Sequence, residues 1–315
     1  MRLDGALGGW VSIGVFGAVL CCLSLGFVCL ARADALDPHV ATALAASAPD
    51  TSPESRSEHS WVERFRARAE LGMSGRADSA SSLRVFSPVI GLDTRFSNGF
   101  GIGFDWGFIV GTEVPASSAP AQWITGPGDP IFKVWYERAY DSGDKLDLYI
   151  GATVPAAWLP RDVVNRGLAR NAYAFAAATR GLWNAWLWAP EQLALAASGA
   201  WQHELDGSVR LRLEGAVAAA ASVSWLTREL GTLYGQLAPT LELHSDLLHL
   251  GVRAQAVVVA PQSDFVQLSA GAYVGLEQPH WSLDLHGACN IDPPLGFIGR
   301  GLSVCGAWLS TTVSP

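Results

Sequence analysis

Hydrophobic and polar residues alternate along most of this chain with a period of two. The clearest stretch is residues 98–112, NGFGIGFDWGFIVGT. Phe100, Ile102, Phe104, Trp106, Phe108 and Val110 share one parity; Gly101, Gly103, Asp105, Gly107 and Gly111 share the other, with Ile109 the exception. Successive side chains of a strand point to opposite faces. The stretch therefore predicts a strand with one broad apolar, aromatic face and one small, partly polar face. The same pattern begins at Arg64, where Arg66, Arg68 and Glu70 oppose Phe65, Ala67, Ala69 and Leu71. It recurs over residues 86–96, 131–140 and 146–154, and again from Leu193 to the end of the chain. Strands at regular spacing with turn signals between them, and no helices alternating with them, predict an all-β architecture.

The connections alternate in length. Residues 97–99, 141–145, 206–207, 245–246 and 278–280 are short turns rich in Gly, Asp, Ser and Asn, whereas residues 76–82, 113–130, 226–232, 260–264 and 290–299 are longer. A transmembrane antiparallel up-and-down barrel has this rhythm, with short periplasmic turns and longer outer loops, and strands of about ten residues cross the bilayer. The apolar parity then faces lipid and the polar parity the lumen. A soluble secreted β-sandwich that binds a ligand shares the alternation and stays open as an alternative.

Residues 155–192 break the period. Their middle, NAYAFAAATRGLWNAWLW, is rich in alanine and tryptophan. The barrel closes in phase only if this segment holds an even number of strands. With none it is an outer loop and the barrel has 12 strands; with two, over residues 172–179 and 182–188, it has 14. Two such strands would be short and almost without polar alternation, so twelve is the expectation. Trp158, Phe175, Trp183, Trp186 and Trp188 are the candidates for a ligand-entry loop, because ligand pockets are mostly apolar with aromatic walls. The alternative is an aromatic belt that anchors the loop at the lipid interface.

Composition agrees with a membrane protein that carries no long helices beyond its start. Of the 315 residues 50% are hydrophobic and only 16% charged, against about 25% charged in an ordinary soluble domain. The net charge of −8 gives nucleic acid no electrostatic footing. One apolar run, residues 11–30, precedes small-residue pairs around Ala33 and Ala35 and reads as an export signal over residues 1–35. An uncleaved anchor helix is the other reading of that run. Residues 36–60, rich in Ala, Ser, Pro and acids, read as a disordered periplasmic lead-in, leaving residues 61–315 for the barrel.

Candidate chemistry lies on the polar parity. Asp105, Arg210, Arg212, Glu214, Glu242, His244, Arg253, Asp284 and His286 are the lumen-lining candidates. They form either a charged constriction that selects solutes or a mutually neutralised, water-filled interior. No metal, cofactor or nucleophile motif appears in the sequence, and the chain reads as non-enzymatic. The alternating glycines of residues 99–107 do not fit a nucleotide-binding loop and instead relieve crowding on an inner face. Cys289 and Cys305 flank the last long loop and, in an oxidising compartment, are candidates for a disulfide. Two free thiols remain the alternative if the strands turn them to different faces.

Gly126-Pro127-Gly128-Asp129 precedes a strand containing Tyr136-Glu137-Arg138, and the next strand runs into Val154-Pro155-Ala156-Ala157. This arrangement resembles the outer-membrane transporter family named for the phenol-degradation meta pathway. There a G-x-G-D element opens a strand ending in Tyr and a basic residue, and the next strand ends near Leu-Pro-Thr-Gly; the Thr-Gly is missing here. The resemblance covers about thirty residues. It implies a barrel in the Gram-negative outer membrane that takes up small solutes, hydrophobic or aromatic ones among them. Its partners would be outer-membrane lipid, a small solute and, during biogenesis, the barrel-assembly machinery. A structural or interaction barrel with a plugged lumen is the alternative within the same fold.

Overall fold

The computed structural model describes residues 62–77, 81–115, 120–223, 231–260, 266–292 and 304–314. The expected export signal and lead-in lie outside the described residues, as do the tips of most of the long connections. Thirteen strands follow in order: β1 (Val62–Ala77), β2 (Ser81–Phe96), β3 (Phe100–Pro115), β4 (Gln122–Pro127), β5 (Ile131–Ala139), β6 (Lys145–Thr153), β7 (Gln192–Asp206), β8 (Val209–Ser222), β9 (Thr232–His244), β10 (Leu248–Ala260), β11 (Val266–Gln278), β12 (Trp281–Asn290) and β13 (Cys305–Val313). One helix, α1 (Val163–Ala178), and a single 3-10 turn, Ala185–Trp188, lie between β6 and β7.

All neighbouring strands pair antiparallel, and β1 pairs with β13 from Ala67↔Val313 to Gly75↔Cys305, which closes the sheet. The result is a closed transmembrane barrel of 12 staves. Thirteen strands make twelve staves because β4 and β5 share one position. Both pair with β3, β4 against Phe108–Glu113 and β5 against Phe100–Asp105. Residues 113–130, expected as a loop, therefore contain the upper part of a broken stave. The break falls at Gly128-Asp129-Pro130, where Pro130 has no N–H to give to a ladder.

The outer face is apolar. Ile102, Phe132, Val134, Ile150, Leu195, Val217, Leu237 and Val252 are all exposed and all on the parity expected to meet lipid. The inner face changes character along the barrel. Near the short turns it carries Arg66, Arg68, Asp93, Asp105, Lys133, Arg210 and Arg212. Near the long connections it carries Leu83, Val85, Ile109, Ala194, Ala196, Ala216, Ala218 and Ala220, all buried. A barrel of open water would not bury these, and what covers them is residues 155–192.

That segment was expected to be an outer loop without strands, with two short strands as the alternative. It holds no strand, in keeping with twelve staves, but it is not an open loop. It forms a helix and a 3-10 turn that fold into the lumen. Asp162 caps α1, its Oδ1 accepting from the backbone N–H of Asn165 at 2.9 Å, a normal N-cap arrangement. That bond holds the Asp162 carboxyl below its ordinary range. Helix α1 buries Leu168, Ala169, Ala172, Tyr173, Phe175 and Ala176–Ala178. Alanine on several sides lets the helix sit close to a curved wall. A Cβ at Gly107 would overlap the ring of Trp188, and one at Gly306 would overlap Thr179. These inner-face glycines make room for the inserted segment itself, beyond the general crowding that the sequence suggested.

Cys289 and Cys305 face each other across β12 and β13 and are bonded, with Cα atoms 4.1 Å apart. Their direct opposition in register puts both on one face. The bond closes the last long connection, and a cross-link over a loop of this length contributes about 3 kcal/mol in the chain-entropy account. Cys289→Ser is expected to lower the temperature at which the solubilised barrel loses its compact gel mobility. Dithiothreitol is expected to do the same to the wild type and to leave the variant unchanged.

Candidate functional site

The inserted segment crosses the lumen and bonds to strands around the ring. Ser74 Oγ on β1 donates to the Phe175 carbonyl at 3.1 Å, and Thr179 Oγ1 donates to Ser74 Oγ at 2.8 Å. Tyr173 Oη donates to the Pro127 carbonyl on β4 at 2.7 Å. On β9, Gln236 Nε2 donates to the Leu182 carbonyl at 2.9 Å and its Oε1 accepts from the Asn184 N–H at 3.2 Å. Gln255 on β10 donates to the carbonyls of Arg180 and Gly181. Asn290 on β12 is fully buried and donates to the Ala178 carbonyl at 3.2 Å. Most of these bonds go to backbone groups at the end of α1 and in the following turn, several of which also have a local backbone partner, so the inner face adds anchors to a turn that is already hydrogen-bonded.

The turn after α1 is conformationally costly. Gly181, Leu182 and Asn184 all have positive φ, at 62°, 66° and 55°. Glycine and asparagine tolerate this region, but a leucine there is rare. The paired contacts from Gln236 hold Leu182 and Asn184 in place.

Arg180 is the hub of the segment. Its Nε donates to Glu70 at 2.9 Å and its two Nη atoms reach Ser87, while the guanidinium lies 6.0 Å from the Trp188 ring and 5.9 Å from the Trp308 ring. Nothing in the periodicity singled out Arg180, which reads in the sequence as half of a turn. The one charged residue in an 18-residue run rich in alanine and tryptophan was the available signal.

The lumen-lining candidates all sit on the inner face and join into paired clusters. Asp105 accepts from Arg68 Nη2 at 2.8 Å and from Lys133 Nζ at 2.9 Å. Arg210 donates to Glu204 and Glu242, both at 2.7 Å, and Tyr273 Oη donates to the other oxygen of Glu242. His244 lies 3.5 Å from Glu204. Arg212 and Arg253 share Glu214, Arg212 Nε at 2.9 Å. Asp284 is 2.6 Å from His249 Nε2, and the His286 ring is stacked on Trp308 at 4.7 Å. Most of these clusters pair acidic with basic side chains. Among the described residues no cluster of His, Cys, Asp and Glu could hold a metal ion.

The aromatic candidates separate. Trp158 is exposed, whereas Trp186 and Trp188 are buried against the alanine-lined wall, and Phe175 is buried on α1. The buried Phe175, Trp186 and Trp188 therefore do not face lipid. Trp183 meets the charged half, where the Arg253 guanidinium lies 4.5 Å over its ring. Trp183 and Asn184 line two cavities at once, one of about 690 Å³ and one of about 240 Å³. The larger cavity is walled by Trp183, Trp188, Trp308, Arg180, Arg253 and Tyr273, among others.

Asp129 was missed as a functional position. It is fully buried at the break between β4 and β5, and one oxygen accepts from the N–H groups of Ala156 and Ala157 at 2.7 and 2.8 Å. It ties the start of the inserted segment to the wall. The G-P-G-D run quoted from the sequence thus has a structural use here: Gly128 N–H donates to the Gly107 carbonyl and Asp129 N–H to the Leu187 carbonyl.

No protein-family model and no curated protein matches the chain. Among solved structures it is similar to an outer-membrane channel from Pseudomonas putida F1, with a TM-score of 0.52 and 11% identity over 80% of this chain and 95% of that one. It is also similar to the NanC porin, with a TM-score of 0.48 and 6% identity over 78% of this chain and 98% of that one. The beta domain of a Bordetella autotransporter follows at a TM-score of 0.45 and 12% identity, over 79% and 98%. At these identities the likeness is one of fold, and it does not extend to the meta-pathway family in particular.

Proposed function

We propose that this barrel is a channel in the Gram-negative outer membrane for small solutes, planar aromatic ones among them, and that residues 155–192 form its constriction. The observation that carries the reading is the 690 Å³ cavity, which combines three indoles with arginines and carboxylates beside the inserted segment. A solute with a flat apolar body and a polar group would find stacking surfaces and hydrogen-bond partners there. The apolar outer face supports the membrane setting. The charged half of the lumen supports a polar vestibule at the short-turn end.

A second reading is a structural barrel with a closed lumen. It is favoured by the number of strands that bond to the inserted segment. Flux into proteoliposomes decides between the two. The channel reading expects uptake of small solutes above that of empty vesicles, with a size limit below that of disaccharides. Uptake equal to empty vesicles for every solute in a graded panel would leave the closed barrel.

A further inference from the structure

Around the lumen at one level, β8, β9 and β10 place Arg212, Thr240 and Arg253 in a single cross-strand row: Arg212 is opposite Thr240, and Thr240 opposite Arg253. Directly opposed side chains on one face have Cβ atoms about 4.5–5.5 Å apart, so the three groups are immediate neighbours. The row continues on β11 with Gly271, opposite Arg253, and on β12 with Ala288, opposite Gly271. These two have no side chains long enough to fill the space in front of the arginine. The 690 Å³ cavity occupies it, and Thr240, Arg253, Gly271 and Ala288 all line that cavity.

Two polar groups in this row are unused. Thr240 is 4% exposed, and its Oγ1 has no hydrogen-bond partner among the described residues. Arg253 donates through Nε to Gln255 and through Nη1 to Glu214, but Nη2 is buried and unpartnered among the described residues. A buried donor without an acceptor is destabilising, and two neighbouring ones on the wall of one cavity call for a shared acceptor. The local charge indicates which kind. Arg212 and Arg253 share the single carboxylate of Glu214. Asp147 lies 3.8 Å from Arg212 and is itself 3.9 Å from Lys145, which stands closer to Glu137, at 3.3 Å. The two guanidiniums outnumber the one carboxylate that both bond.

We infer that Thr240 and Arg253 form a binding site for the carboxylate of a small organic monoanion inside the lumen. One carboxylate oxygen accepts from Arg253 Nη2 and the other from Thr240 Oγ1. Glu214 keeps the guanidinium aimed from behind, and the Trp183 ring on its face fixes its plane. The open side, over Gly271 and Ala288, receives the body of the anion. This site deepens the channel reading by giving the solute a charge, but occupancy does not require conduction, so the two can fail separately.

The test is binding to the full-length, detergent-solubilised barrel, read by fluorine NMR line broadening of trifluoroacetate, with neutral trifluoroacetamide as control. Saturable broadening of trifluoroacetate alone, relieved by acetate, is expected. Thr240→Val keeps the shape and the strand preference and removes only the hydroxyl. It is expected to weaken binding about tenfold, the loss of one hydrogen bond to a charged group. Arg253→Lys, which keeps charge without the fork, is expected to weaken it further. Compact gel mobility of each variant before heating shows that it has folded. Equal broadening by trifluoroacetamide, wild-type binding in folded Thr240→Val, or relief by chloride as effective as by acetate would each overturn the site. Flux through proteoliposomes, measured in parallel, reports on the channel reading independently.

Discussion

Excising residues 158–189 and joining the ends with a short Gly/Ser linker is expected to raise the single-channel conductance of the reconstituted barrel several-fold. The size limit for solutes in liposome swelling is expected to rise with it. The reasoning is geometric. Helix α1 and the Trp186–Trp188 turn fill the half of the lumen lined by Leu83, Val85, Ile109 and the alanines of β7 and β8. No other described segment lies there. The wall does not depend on them for its hydrogen bonds, since β6 pairs with β7 from Lys145↔Gln202 to Ala152↔Leu195 and β7 with β8 along its length. The variant exposes apolar inner-face side chains to water and is expected to be less stable than the wild type, yet to retain heat-modifiable gel migration. A folded variant with unchanged conductance would show that the inserted segment is not the constriction.

How much of this could be read from the chain follows from where side-chain parity carries information. A transmembrane stave has two different surroundings, and the period of two reports both. That is why the lipid face of Phe100, Ile102 and Phe104, and the inner positions of Asp105, Arg210 and Arg253, were legible without coordinates. Parity is silent about what lies inside the ring. Residues 155–192 lack alternation because the lumen surrounds them on several sides, and a helix rich in alanine can face any of those. The direction of the segment was encoded elsewhere, in residues that alternation passes over. On the polar parity of β8, Arg210, Arg212 and Glu214 give way to Ala216, Ala218 and Ala220. On β2, Asp93 and Arg95 give way toward the other end to Val89, Val85 and Leu83. A strand apolar on both faces at one end needs something apolar on its inner side. Read together, those positions mark the half of the lumen that is filled.

The broken stave shows a different limit. Glycines and prolines between residues 113 and 130 signal a loop by composition, but Gln122–Pro127 still pairs with β3, because among the described residues no other strand covers that side of β3 above Asp105. Tertiary demand for a ladder partner outweighed local preference. Asp129 and Arg180 were illegible for a related reason: their roles depend on carbonyl and amide groups brought to them from more than twenty residues away, Ala156 and Ala157 for Asp129 and the Ser87 carbonyl for Arg180.

Arg180→Ala is expected to produce the largest single-residue loss of stability in the molecule. Arg180 and Glu70 are 10% and 15% exposed, and removing one partner of a buried pair leaves the other charge uncompensated, typically at 3–5 kcal/mol. We expect about 3 kcal/mol, the low end of that range, because Arg68 Nε also lies 3.5 Å from Glu70 and takes over part of the compensation. The loss also removes the guanidinium between Trp188 and Trp308 and the bonds to Ser87, so the inserted segment loses its hub while the strand ladders stay intact. The measurement is the urea midpoint of the solubilised barrel, for the wild type, Arg180→Ala, Glu70→Ala and the double variant. Recovery of stability in the double variant relative to Arg180→Ala assigns the loss to the stranded carboxylate. No recovery would place it in the contacts of Arg180 with Ser87 and the two indoles. In either case the segment should loosen without being removed, so conductance is expected to fluctuate between the wild-type level and the higher level of the excised variant. A steady wild-type level in a folded Arg180→Ala barrel would mean that Gln236, Gln255 and Asn290 hold the constriction closed without the hub.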